Sequence, residues 1–184
     1  GAHCKIEGFA FLPITCFAQA LSTFVGQNLG AQQYGRVKKG VRFAVICSVS
    51  MAELIGVASY LLAPQLISIF NDSPEVVAYG AAHMRTICLF YCLLALSHCI
   101  AGILRGAGKA TVPMFIMLGC WCLLRVTYIS IAMQHVNELH TVSMAYPITW
   151  FASSVLFIIY FYAADWMHAF DRQAAKEKQV QNEA

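Results

Sequence analysis

The 184-residue sequence predicts an all-α, polytopic membrane helix bundle of five transmembrane helices, on three observations. The first is compositional: 59% of the residues are hydrophobic and 11% charged, whereas a typical soluble domain carries about 25% charged residues. A soluble fold of this length needs an exterior built largely from Lys, Arg, Asp and Glu, and 12 basic and 9 acidic side chains are too few. The second is placement, because residues 8–35 and 139–164 contain no Asp, Glu, Lys or Arg. Roughly 20 helical residues cross about 30 Å of hydrocarbon, so each run is long enough to span a bilayer. The third is that the apolar segments lack the alternating polar faces that soluble core helices require.

The five spans follow in order. The first covers residues 8–30, and the second covers 43–70 with Glu53 as its one charge. The third, 76–104, contains Arg85; the fourth, 112–133, contains Arg125; the fifth, 139–164, is uncharged. Between the second and third, Asp72, Pro74 and Glu75 read as an N-cap, a first-turn proline and a capping-box acid. Gly106 and Gly108 close the third span with residues that tolerate positive φ, and Thr111 with Pro113 starts the fourth. Residues 1–164 thus form the membrane unit, and 165–184 form a polar tail, frayed and cytoplasmic, whose mixed-charge part runs from Asp171 to Ala184.

Short loops rich in Lys and Arg stay on the cytoplasmic side. Arg36, Lys38, Lys39, Arg42, Arg105, Lys109, Arg172, Lys176 and Lys178 share one side, against Lys5 with Glu7, Asp72, Glu75 and Glu138 on the other. The N-terminus is therefore expected outside and the C-terminus inside. Gly1 is neither an initiator Met nor part of a signal peptide, and five spans with an outward start imply a preceding stretch.

Ionisable groups inside spans each cost about 2.5–3.5 kcal/mol at a helix centre, so each needs a partner or a wet cavity. At 1.5 Å per residue, Glu53 lies about 15 Å and Arg125 about 20 Å from the cytoplasmic ends of their helices. Arg85 lies about 28 Å in, where its stem can snorkel outward. Glu53 and Arg125 are closest to level, and the expectation is that they pair inside the bundle or line one aqueous cavity. A purely structural ion pair is the competing explanation.

The first span carries Thr15, Gln19, Ser22, Thr23, Gln27 and Asn28, a polar set that lines a solute cavity or glues helices together. Tyr91, His98, Gly102 and Arg105 form a stripe on the third span at helical spacing. His98 is either a proton relay or an interhelical hydrogen-bonding group. Pro13, Pro64 and Pro147 can interrupt helix hydrogen bonding, and Pro13 and Pro147 are the candidate hinges. Gly26/Gly30 and Gly102/Gly106 suit close helix approach.

Seven of the eight cysteines, Cys16, Cys47, Cys88, Cys92, Cys99, Cys120 and Cys122, lie in apolar segments. They read as small hydrophobes rather than a disulfide framework. Cys88 and Cys92 lack a second ligand pair, so no metal site is expected. A net charge of +3 with its basic residues at span ends does not suggest nucleic acid. No His–acid or Ser–His–acid cluster converges at one depth, which argues against a membrane enzyme.

Three strings then become informative. Ala20-Leu21-Ser22-Thr23-Phe24-Val25-Gly26-Gln27-Asn28-Leu29-Gly30-Ala31, followed by Arg36 and Lys38-Lys39, resembles the end of the eighth helix of the multidrug and toxic compound extrusion (MATE) family. Gly102-Ile103-Leu104-Arg105-Gly106-Ala107-Gly108-Lys109 with Pro113 is similar to that family's turn between helices ten and eleven, and Tyr146-Pro147-Ile148-Thr149-Trp150 resembles its final helix. The matches come in the family's order, cover residues 1–164, and agree with the outside start found from charge. The resemblance implies helices eight to twelve of a twelve-helix antiporter of two lobes in the plasma (bacterial inner) membrane. Such a protein exports drugs or other cationic or amphipathic compounds in exchange for H⁺ or Na⁺ and uses no other cofactor. This chain would be part of the C-terminal lobe and would need the N-terminal lobe as partner. Members with a cation site in this lobe carry an acid in the tenth helix, whereas residues 90–101 contain none and Leu94 stands near the comparable position. With Arg125 in the eleventh helix, the pattern is closer to the DinF-like branch, whose coupling carboxylate lies in the N-terminal lobe, and implies proton coupling. The alternatives are a lipid-linked oligosaccharide flippase of the same superfamily, which would place more basic residues in its cavity, and an inactive or structural membrane fragment.

Overall fold

The computed structural model describes residues 2–70, 73–135 and 139–168. Among these the chain forms α1 (Ala2–Gly30), α2 (Tyr34–Leu61), α3 (Ala63–Ser68), α4 (Pro74–Ile87), α5 (Tyr91–Gly106), α6 (Thr111–Met117), α7 (Arg125–His135) and α8 (Leu139–Ala163), with no strand. A 3-10 turn, Cys88–Phe90, joins α4 to α5, and a π-helical stretch, Leu118–Leu124, joins α6 to α7. Five helical segments are long and apolar enough to cross a membrane: Gly8–Gly30, Tyr34–Leu61, Pro74–Gly106, Thr111–Gln134 and Thr141–Ala163. The expected fold class and the number of spans hold. Asp72, Glu138 and the polar tail from Asp171 onward lie outside the described residues.

The second span differs from the sequence expectation of 43–70. Its helix starts nine residues earlier because Arg36, Lys38, Lys39 and Arg42 extend it by one exposed amphipathic end, and Lys and Arg are good helix formers wherever water is available. The helix stops at Leu61 because Pro64 has no N–H for the Tyr60 carbonyl and its ring crowds that turn. The freed Tyr60 carbonyl accepts from Arg85 Nε at 3.4 Å, and the Arg85 guanidinium lies 5.6 Å from the Tyr60 ring centre. This is the partner that the intramembrane Arg85 needs. α3 then folds onto α4 through Ala63, Ile67, Ala81 and Met84.

The third span is the centre of the bundle. Of its most apolar window 72% is buried, against 6% for the fourth span, as expected of a helix that is apolar all round. α5 packs on α1, α2 and α8, while α7 and the π-helical stretch pack on α8. The α1–α5 crossing is made by glycines: a Cβ on Gly102 would collide with the Ala18 carbonyl, one on Gly106 with the Ser22 carbonyl, and one on Gly26 would sit 3.3 Å from the Gly106 carbonyl. Gly30 faces open space and takes no part. Three serines join α5 to α8, with Ser97 Oγ 3.1 Å from Ser153 Oγ and 2.9 Å from Ser154 Oγ, which in turn donates to the Leu93 carbonyl at 3.0 Å. In hydrocarbon such bonds hold helices together where no hydrophobic force between them exists.

The helix ends obey backbone accounting. Gly108 takes φ 76°, and the Lys109 N–H reaches the Leu104 carbonyl at 2.8 Å, which closes α5 as the glycine pair suggested. At the end of α1 the left-handed residue is Gln32, φ 56°, two positions after the glycine.

Candidate functional site

α1 separates two kinds of side chain by face. Ile14, Ala18, Leu21, Val25 and Leu29 are buried against the bundle, whereas Gln19, Thr23 and Gln27, at successive i, i+4 positions, are exposed on the face turned outward. Asn28 is half-buried and spends its amide on the Phe24 carbonyl at 2.7 Å. Thr23 bonds locally to the Gln19 carbonyl at 3.3 Å. The Gln19 and Gln27 amides point away from the five-helix core, and an amide facing lipid is costly. This stripe suits a water-filled space or a polar protein surface.

A second group forms around Arg125. The π-helical stretch ends immediately before it, so the backbone is locally widened where the cation is attached. Its Nη2 donates to Thr149 Oγ1 at 2.8 Å, and its guanidinium carbon lies 4.5 Å from the Tyr146 ring centre and 5.7 Å from that of Trp121. Trp121 packs 5.3 Å from His98, and its indole N–H donates to Ser153 at 3.4 Å. Tyr146 continues the cluster to Trp150 at 5.9 Å and His83 at 5.8 Å, and His83 also contacts Ser143. Tyr91 is fully buried, 6.0 Å from Trp150. The structure therefore brings Arg125, His98 and Tyr91 into one aromatic network, joined by residues on α8 and the π-helical stretch.

The expected Glu53–Arg125 pair does not form. Glu53 lies beside the Cys88 and Cys92 thiols, and its Oε2 is buried with no hydrogen-bond partner among the described residues. α2 packs on α1, the 3-10 turn and α5, while α7 packs on α8. Similar depth placed the two residues level but said nothing about which side of the central α5 each helix occupies. Glu53 has its own irregular backbone beside it: Gly56, one turn on, faces the Cys88 carbonyl so closely that a Cβ would overlap it, and Cys88 opens the 3-10 turn. Glu53 and Arg125 thus each sit next to an interruption of the α-helix, a common feature of functional segments.

His98 is buried, bonded through Nδ1 to the Leu94 carbonyl at 3.0 Å and packed edge-on against Phe11 at 4.8 Å. Its ring is held within the bundle between Phe11 and Trp121. Pro13 and Pro147 lie inside α1 and α8, which run on through them. Each deletes one i→i−4 bond; the one that Pro147 deletes is to the Ser143 carbonyl, and Pro147 itself stands between Tyr146 and Thr149, both contacts of Arg125. Among the described residues no three His, Cys, Asp or Glu side chains converge as a metal site needs.

Trp121, Thr149, Trp150 and the serine cluster were not singled out from the sequence as site residues. Trp121 stands at i−4 from Arg125, and Tyr146 at i−4 from Trp150, so the spacing carried a signal. It names neighbours on one helix and is silent on which other helix they face.

The family profile described as MatE matches residues 1–131. A probable multidrug resistance protein NorM from Thermotoga maritima is 29% identical over 112 residues, covering 61% of this chain and 24% of that protein. Multidrug and toxin extrusion protein 1 from Danio rerio is 30% identical over 164 residues, covering 83% of this chain and 26% of that protein. The chain thus spans about a quarter of the length of these relatives. The structure described as the inward-facing conformation of a multidrug resistance MATE family transporter of the MOP superfamily superposes with a TM-score of 0.77 at 15% identity, covering 96% of this chain and 39% of that one. At that identity the superposition speaks for the fold.

Proposed function

The chain belongs to the MATE family, and from that premise we propose that it supplies part of one lobe of a secondary active exporter of cationic or amphipathic compounds. The protein carries out transport rather than enzymatic chemistry. The observation that carries this reading is the Gln19–Thr23–Gln27 stripe, uncharged yet polar, on the outward face of α1. In the full-length protein that face lines the solute pathway opposite the second lobe, where amides can contact a solute without the desolvation cost of a fixed charge. The Arg125 cluster anchors the fourth and fifth spans to each other beside Pro147, leaving the α8 segment around it as the bending point. Coupling is to H⁺, because the tenth-helix segment offers no acid for a second cation. The basic ends of the helices face the cytoplasm.

The test uses the full-length protein in membrane vesicles, with Cys16 and Cys122, the exposed thiols among the described residues, replaced by Ser. Thr23→Cys should react with a membrane-impermeant thiol reagent at least tenfold faster than Leu54→Cys on the exposed apolar face of α2. Ethidium, an amphipathic cation, should slow that reaction. Equal rates at both positions, or no protection by ethidium, would exclude α1 from the pathway.

A further inference from the structure

A cavity of about 840 Å³ opens at the basic-loop end of the bundle, between the start of α2, α5 and the end of α8. It lies away from both the α1 stripe and the Arg125 cluster. Lys38 and Arg42 stand at its rim, exposed and one helical turn apart. Below them Ile46, Ile100, Phe161 and Tyr162 line an apolar wall. From Arg42 to Ile46 the helix rises about 6 Å, so positive charge gives way to hydrocarbon-compatible surface within one turn. The one acid lining it among the described residues, Asp165, is bonded to His168 Nδ1 at 2.7 Å, and the two cations outnumber it.

We infer that this cavity holds one anionic phospholipid, its phosphate between Lys38 and Arg42 and an acyl chain along Ile46, Ile100 and Phe161. Three features select this occupant. Two adjacent cations attract a phosphate and repel the cationic solutes proposed for the transport pathway. The order of charge and apolar wall along α2 matches the order of headgroup and acyl chain. The volume also falls within the range of about 300–1,000 Å³ of sites that enclose small molecules. The site depends on the chain being embedded in a bilayer and not on what it transports, so its test is independent of any transport measurement.

The experiment is native mass spectrometry of the full-length protein, purified in detergent and supplied with equal phosphatidylglycerol and phosphatidylcholine. The native protein should retain the anionic lipid at least fivefold over the zwitterionic one. Lys38→Gln with Arg42→Gln should bring the two to parity, while Lys109→Gln, which removes the same kind of charge on the other basic loop, should leave the preference intact. Glycerol phosphate at the same concentration should displace nothing. Equal retention of both lipids by the native protein would overturn the site, as would an unchanged preference in the double variant or an equal loss in Lys109→Gln. Displacement by glycerol phosphate alone would also overturn it, as would retention of no lipid, the result expected if residues 169–184 of the chain fill the cavity.

Discussion

Gly102→Val is expected to be the most damaging single substitution in the chain. The first atom of the new side chain already overlaps the Ala18 carbonyl, and Val adds two methyl groups beyond it. The colliding partner is helix backbone, which cannot rotate aside as a side chain can. α1 and α5 must therefore separate along their whole crossing, because Gly106 against Ser22 and Gly26 against Gly106 hold the same contact one and two turns away. Overpacking in a rigid core costs about 1–3 kcal/mol and occasionally more; here loss of the packing among Leu21, Val25, Cys99 and Ile103 adds to it, so the expected loss is about 3 kcal/mol or more. In a membrane this packing is itself the main force joining helices. Thermal unfolding of the full-length protein in detergent checks it, with Gly30→Val as control because nothing lies within 4 Å of that position. Equal stability of the two variants would contradict the α1–α5 crossing described above.

The second large effect concerns Arg125 and separates the observed cluster from the ion pair that depth alone suggested. Arg125→Met keeps an apolar stem but removes the bond to Thr149 and the cation over Tyr146. A charged hydrogen bond contributes about 1.5–3 kcal/mol and a desolvated cation–π contact about 2 kcal/mol, so the variant should lose about 2–3 kcal/mol net. A double-mutant cycle with Tyr146→Leu should return a coupling of about 1–2 kcal/mol, since contacting residues are non-additive. The cycle of Arg125→Met with Glu53→Gln should return less than about 0.5 kcal/mol, the range for residues without shared partners. Strong coupling to Glu53 and none to Tyr146 would restore the ion pair.

These two cases also show how far the sequence carried. Span number and helical class were legible because they depend on sums over many residues, namely charge scarcity and run length. The Gly102/Gly106 pair was legible too, since small residues four apart have few other uses in a membrane helix. Pro64 marked a break, but its effect on the Tyr60 carbonyl, and hence the role of Arg85, needed the position of α4 beside α2. The Arg125 cluster was half legible: Tyr146, Thr149 and Trp150 stood in a recognisable string, yet their convergence on Arg125 depends on α8 packing against α7. The exposed Gln19, Thr23 and Gln27 were picked out by composition, and only the packing of Ala18 and Val25 against α5 fixed which way they face. The 3-10 turn at Cys88 and the π-helical stretch before Arg125 left no sequence signal that was recognised, since Cys, Leu and Phe suit an ordinary helix equally well.

The central proposal is that this chain is part of a proton-coupled exporter. The direct measurement is ethidium accumulation in cells that express the full-length protein, taken with the proton gradient intact and after its collapse by an uncoupler. At least fivefold lower accumulation than in control cells is expected while the gradient stands, with the difference lost on collapse. Accumulation that is the same with and without the protein, in both conditions, would contradict it.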